Sequence, residues 1–228
     1  MIKGKFIVIE GTDGSGKATQ LGLLKARLEK EGCKVETADF PQYYDTFLGK
    51  LVGRYLKGDF GGIDQVDPHL ASLTYAGDRW QAKEKINSCL EQGSTVLANR
   101  YTGANMGFQT GKLPKEQWDE FLAWLDELEY QTYGIPREDV VVFLHVPVEI
   151  GQKLVDKKGH RDYVDGSKRD IHEKDLSYQK KVEKVYLYLV KKYSHWLLVE
   201  CCDKEGNLMS PEKIHELIYN ALVERGIL

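Results

Sequence analysis

The sequence predicts an α/β fold of three layers: a five-stranded parallel sheet with helices on both of its faces and one short lid. Three observations carry this expectation. Five apolar runs recur along the 228 residues, stretches of helical periodicity separate them, and the runs are apolar at nearly every position, as strands covered on both faces must be. A chain of this length with 42% hydrophobic residues can bury a sizeable core, and residues 1–228 are expected to form one domain.

Taken in order, residues 6–9 are β-branched or aromatic and form the first strand. A glycine-rich loop follows, and then Leu21, Leu24 and Leu28 recur at helical spacing until Gly32 stops the helix. Residues 35–38 form the second strand and 95–98 the third, with a helical stretch at residues 75–80 between them. Trp118, Phe121, Leu122, Leu125 and Leu128 repeat as the buried face of a further helix, and residues 140–146 and 196–199 are the fourth and fifth strands. The last helix opens with Ser210 as its cap and Pro211 at its first position, and its buried stripe is Ile214, Leu217, Ile218 and Leu222. Residues 157–174 break the alternation. Almost without apolar side chains, they carry His160, Arg161, Lys168, Arg169, Asp170, His172 and Glu173, a composition that suits a solvated loop or a mobile lid whose arginines close over a phosphoryl group.

A net charge of -3 supplies no basic field of the kind a duplex-binding protein needs, so no nucleic-acid polymer is expected as a partner. Cys33, Cys89, Cys201 and Cys202 lack metal-ligand spacing, and the adjacent pair is badly placed to bridge with itself, which fits a reducing cytoplasm. The first strand begins too early to leave room for a signal peptide. The longest apolar run, residues 140–144, is far too short to span a bilayer, so a soluble protein without a membrane partner is expected.

The chemistry starts at Gly11-Thr12-Asp13-Gly14-Ser15-Gly16-Lys17-Ala18, set between a strand and a helix. Glycine at both ends lets the backbone curl so that its N–H groups point at phosphate oxygens and run into a helix N-terminus, where unpaired donors and the helix dipole favour an anion. Lys17 then reaches the terminal phosphates as a surface-facing point charge. A turn serving chain reversal alone would leave that lysine unexplained. Ala18 is the anomaly, because a Ser or Thr hydroxyl that helps hold Mg²⁺ is expected there. Thr19 sits about 100° further round the helix and is no automatic substitute. Mg²⁺ is therefore expected through ATP phosphates and water, with no protein ligand assigned.

In open α/β sheets ligands gather at the C-terminal ends of strands. Phe40, Pro41, Gln42 and Tyr43 follow the second strand closely, and Asn99, Arg100 and Tyr101 follow the third. Arg100 and the helical Arg79 are candidates for gripping a second anion, since a planar guanidinium pairs with two phosphate oxygens at once. A surface ion pair is the plainer role for Arg79.

These residues resemble the thymidylate kinases, P-loop nucleoside monophosphate kinases that pass the γ-phosphoryl group of ATP to dTMP. The likeness covers nearly the whole chain and rests on five elements in the right order. They are the loop with an internal Asp followed by Gly-Lys-x-Thr-Gln, Phe40-Pro41, the aromatic-x-x-x-Arg stretch of Tyr75 and Arg79, Asn99-Arg100-Tyr101, and Phe108-Gln109. The resemblance implies an ATP site over Gly11, Thr12, Asp13, Gly14, Ser15, Gly16, Lys17, Ala18 and Thr19, with Asp13 facing the acceptor. It implies that Arg100 and Arg79 bind the dTMP phosphate, Arg79 also touching the base. Tyr75 would stack on thymine, Asn105 and Gln109 would lie near the base and sugar, and Phe40 would line the pocket. A phosphate loop without arginine resembles the bacterial design, in which the lid supplies the catalytic arginine, here Arg169 or Arg161, beside Lys17, Asp13 and Arg100. A homodimer is implied as well.

Four positions depart from the family pattern: Ala18 for Ser or Thr, Asn99 for Asp, Gln42-Tyr43 where an arginine usually follows Phe-Pro, and His145 for an Asp at the end of the fourth strand. The phosphate loop is blind to the acceptor, which leaves open a kinase for another nucleoside monophosphate or a deoxynucleoside. Ala18 and Asn99 also leave open a nucleotide-binding protein with impaired catalysis.

Overall fold

The computed structural model describes residues 4–156 and 175–228; the segment expected to form a lid, with Arg161 and Arg169, lies outside the described residues. The strands are β1 (Phe6–Glu10), β2 (Val35–Asp39), β3 (Thr95–Asn99), β4 (Val140–His145) and β5 (Trp196–Glu200). They form one parallel sheet in the order β2-β3-β1-β4-β5. The central strand β1 is buried along its whole length, because successive side chains alternate between two covered faces. Phe6 and Val8 join one core layer, and Ile7 and Ile9 the other.

On the first face lie α3 (Pro68–Glu91), α5 (Trp118–Asp126) and α7 (Leu176–Lys192). Their Ile86, Leu90, Phe121, Leu122, Leu125, Val182 and Val185 pack against Val96, Val141 and Phe143 of the sheet. Tyr186 of α7 stacks on Phe143, with ring centroids 4.8 Å apart and planes 9° from parallel. On the second face α1 (Lys17–Lys30) and α8 (Pro211–Glu224) bring Leu24, Leu28, Ile214, Ile218 and Leu222 onto Leu97, Val140, Val142 and Val199. Further helices are α2 (Phe47–Lys57), α4 (Thr102–Phe108) and α6 (Val148–Asp156), the last following β4.

All five expected strands are present, with ends displaced by one residue. β1, β2, β3 and β5 continue onto Glu10, Asp39, Asn99 and Glu200, while β4 stops at His145. Ladder pairing uses backbone groups and ignores side-chain polarity, so Asp39 still pairs in register with Asn99, and His145 with Glu200. Ser210 caps α8 as expected, its Oγ accepting from the Lys213 N–H at 3.3 Å. Leu217 is a correction: assigned to the buried stripe of α8, it is 41% exposed. One residue of helix is about 100°, which swings Leu217 off the stripe centred on Ile218 and past the sheet.

Phe143→Ala is expected to lower the unfolding free energy by about 3–5 kcal/mol, through lost transfer energy and a cavity beside Tyr186. Leu217→Ala should stay within about 0.5 kcal/mol of wild type. Denaturant unfolding of both variants checks the assignment of the core.

Candidate active site

β1 ends in a glycine-rich loop that turns directly into α1. Gly16 occupies the position before the helix with φ 85°, a left-handed conformation that glycine adopts without a side-chain clash. No acidic side chain occupies the first turn and no side chain caps it, so this end of α1 keeps its affinity for an anion. Gly14 needs to be glycine for a different reason. A Cβ there would run into the carbonyl of Gly151 on α6, and a Cβ on Gly151 would come within 2.6 Å of the Asp13 carbonyl. The loop and the start of α6 therefore touch backbone to backbone.

Lys17 corrects the expectation of a surface-facing charge, being only 8% exposed. Its Nζ donates to the Gly11 carbonyl at 3.0 Å, the Thr12 carbonyl at 2.8 Å and Ser15 Oγ at 3.3 Å, so the lysine closes the loop around itself. Ala18 and Thr19 are both exposed on α1.

Arg100 follows β3 and is the non-glycine residue with positive φ among the described residues, at 64°. Such a conformation persists only where its surroundings hold it. The Arg100 N–H donates to the Ile9 carbonyl at 3.0 Å, and the next N–H, that of Tyr101, donates to Glu10 Oε1 at 2.7 Å. Arg100 Nη2 then meets Asp13 Oδ1 at 2.5 Å, and Gln179 of α7 donates to Asp13 Oδ2 at 3.2 Å. Burial opposes the Arg100 charge, yet Asp13, Tyr186 and Glu10 outweigh it and hold the guanidinium's pKa above its ordinary value. Glu10 was not singled out from the sequence. It is fully buried, and burial raises its pKa against the opposing pull of Arg100, the Tyr101 N–H, the Tyr186 hydroxyl and Lys17. The signal was present, as an acid closing an otherwise apolar strand.

From Asp13 and Arg100 a cleft of about 620 Å³, mouth included, runs between α2, α3 and α4. Phe40, Tyr75, Arg79, Asn105 and Gln109, expected from the resemblance to meet there, all line it, together with Tyr43 and Phe108. Phe40 is anchored in the core against Tyr101, and Tyr75 meets Tyr55 edge to face at 6.1 Å. The loop after Phe40 is fastened by Asp78, which accepts from the Gln42 N–H at 2.9 Å and from Thr46 Oγ1.

Arg79 differs from both of its expected roles. It forms neither a surface ion pair nor an open grip for phosphate. Its side chain is 2% exposed and its Nε and Nη2 are held by the two carboxylate oxygens of Glu129, itself fully buried. Arg100 is thus the arginine beside the phosphate loop, and Arg79 sits in the cleft wall with its charge already paired.

The fold and the two cationic stations of this cleft define a P-loop kinase of the nucleoside monophosphate class. A family model described as thymidylate kinase matches residues 9–210. The probable thymidylate kinase of Thermococcus onnurineus is 32% identical over 228 residues, covering 98% of each chain. The thymidylate kinase of Mycobacterium tuberculosis is 28% identical over 204 residues, 89% of this chain and 94% of its own. The structure of thymidylate kinase from Candida albicans aligns over 98% of this chain and 93% of its own, with a TM-score of 0.75 and 23% identity, a likeness of fold. The chain belongs to the thymidylate kinase family.

His145 stands beside this site, at the end of β4. Its ring nitrogens pair with Glu183 at 3.1 Å and Glu200 at 2.6 Å. The Glu183 hydrogen bond raises its pKa from the usual 6.5, burial opposes this, and the Glu200 hydrogen bond adds to the rise. A raised folded-state pKa adds stability that is complete below the unfolded value and lost as pH rises through the folded one. His145→Gln should therefore cost more stability at pH 5.5 than at pH 8.5, measured by urea unfolding at both. An equal cost at both would dissociate the imidazole charge from these two carboxylates.

Proposed function

We propose that this protein transfers the γ-phosphoryl group of ATP to dTMP, forming dTDP and ADP. One observation carries the reading: the phosphate loop and Arg100 converge on Asp13 at the mouth of a cleft with aromatic walls and buried amides. ATP phosphates take the N–H groups of the loop and the Lys17 ammonium, which exchanges its contacts with the Gly11 and Thr12 carbonyls for phosphate oxygens. The acceptor phosphate takes the place beside Arg100 that Asp13 now holds. An acceptor oxygen then attacks the γ-phosphorus as the bond to the bridging oxygen breaks, and ADP leaves with that electron pair. Thymine enters the cleft that Tyr75 and Phe108 help to line, with its polar edge toward Arg79 and Asn105. Arg161 or Arg169 is assigned the further cation that neutralises the transferring group.

Magnesium enters this reading with ATP. The residues near the loop fit a hydrated ion: Asp39 is an exposed carboxylate that accepts from Asn99 Nδ2 at 2.8 Å, Asn99 Oδ1 is buried without a partner, and Ala18 offers no ligand. Asp39 and Asn99 would hold it through water, and the ion would supply charge neutralisation along the phosphates.

The chain is further proposed to act as a homodimer through the outer face of α2 and α3. Phe47 is 75% exposed and Trp80 51%, and Leu70 and Leu73 are exposed on the same side of α3 as Trp80. A cytoplasmic location is supported by the free state of all four cysteines. Among the described residues no helix is long and apolar enough to cross a membrane.

A coupled assay with dTMP, dUMP, dCMP, dGMP and dAMP tests the activity, and dTMP is expected to be turned over fastest. Preference for another acceptor would overturn the substrate. Arg100→Ala should remove about 2–5 kcal/mol of dTMP binding and transfer, by analogy with other buried charge pairs, with a far smaller effect on ATP affinity. Phe47→Lys with Trp80→Lys should yield a monomer in light scattering if that face forms the dimer.

A further inference from the structure

Two of the groups lining the cleft are held by one residue that does not line it. Glu129 lies on a π-helical turn, Glu127–Thr132, which continues α5. The wider turn admits an extra residue, and such turns concentrate at functional sites. Here it carries a carboxylate to a position with 0% exposure, 50 residues in sequence from Arg79. Glu129 Oε2 accepts from Arg79 Nε at 2.9 Å, and Oε1 accepts from Arg79 Nη2 and from Asn105 Nδ2 at 3.0 Å. Asn105 Nδ2 also donates to the Ser72 carbonyl at 3.2 Å.

This arrangement settles which way the Asn105 amide faces. Both neighbours of Nδ2 are acceptors and neither can donate, so a flipped amide would oppose oxygen to oxygen twice in a dry site. The amide oxygen is therefore turned away from Glu129 and Ser72, where it is buried without a partner, and Asn105 lines the cleft. Arg79 Nη1 donates one N–H to the Tyr101 carbonyl at 3.2 Å and carries a second, so the cleft wall holds a guanidinium donor and an amide acceptor that share Glu129.

We propose that Glu129 is the positioning residue for acceptor-base selection: by holding Arg79 and the Asn105 amide in one orientation, it makes the cleft favour a base edge with a carbonyl next to a ring N–H. The inference rests on the reading of the cleft as the acceptor site. Thymine has that edge, at O4 and N3–H, whereas cytosine presents an amine donor and a bare ring nitrogen in the reverse order. Binding cytosine would set donor against donor and acceptor against acceptor, both desolvated. Glu129 does this without touching the ligand.

Glu129→Gln is the test. A carboxamide has one oxygen, so either Arg79 Nε or the shared position of Arg79 Nη2 and Asn105 Nδ2 must face an NH₂ group, and the amide of Asn105 is released. Affinities for dTMP and dCMP, measured by calorimetry alongside kcat and KM, are expected to converge. The ratio favouring dTMP should fall about tenfold or more, through KM and not kcat, with the KM for ATP unchanged. Asn105→Ala should lose part of the same preference, and adding Glu129→Gln to it should lower the ratio by less than the two single effects combined, because they share the Asn105 amide.

A folded Glu129→Gln protein that keeps the wild-type ratio, or additive effects in the double variant, would overturn the proposal. Should that variant fail to fold, Glu129→Asp keeps the carboxylate charge but draws it back by one methylene from both Arg79 and Asn105. A partial loss of preference supports the role, and an unchanged ratio overturns it. A wild-type protein that binds dTMP in preference to dCMP but transfers nothing to it would remove the proposed activity and leave the role of Glu129 measurable by binding alone.

Discussion

A carboxylate without access to water organises the C-terminal edge of the sheet. Glu10 ends the central strand with both oxygens engaged, by the Tyr101 N–H and the Tyr186 hydroxyl, and its charge is balanced at longer range by Arg100 and Lys17. Burying an unpaired carboxylate would be prohibitive. The Tyr101 N–H arrives only because Arg100 takes a left-handed turn, and α4 approaches closely only because Gly103 lacks the Cβ that would sit 2.9 Å from the Glu10 side chain. The strain at Arg100 is thus held in place by the demand of Glu10 for a donor. The outcome is an arginine presented to the phosphate loop from a neighbouring strand.

The two arginines of the cleft are paired in physically different ways. Arg100 and Asp13 keep 16% and 20% of their side-chain surface exposed, at the mouth of the cleft. Arg79 and Glu129, at 2% and 0%, are beyond the reach of solvent, and separating them would strand a buried charge. Solvent therefore reaches the first pair and is kept from the second.

The phosphate loop, too, is braced from outside itself. Lys17 stitches the carbonyls of Gly11 and Thr12, while Gly14 rests against Gly151 at the start of α6. The loop and α6 therefore meet backbone to backbone, with no side chain between them. His145, Glu183 and Glu200 tie β4, α7 and β5 together on the same side of the site.

Local order in the chain was enough to place five strands, the glycine loop and most helix faces, since those follow from continuous apolar runs, a period of 3.6 and glycine spacing that act over a few residues. Lys17 and Arg100 could be singled out in the same way, as residues of a motif or beside a predicted strand, whereas Tyr75 and Asn105 were expected in the cleft only from the resemblance to a family. What the chain order could not convey was burial and partnership at a distance. Leu217 fits the helical stripe of its neighbours yet lies beyond the sheet, and Lys17 is a charge that the loop encloses. Glu129 is one acid among several on a helical stretch, and only the tertiary structure brings it to Arg79, 50 residues away, just as it brings Glu10 to the backbone of Tyr101 across 91. A buried charge has no pattern of its own in sequence, because what makes it tolerable is a partner supplied by another element of the fold.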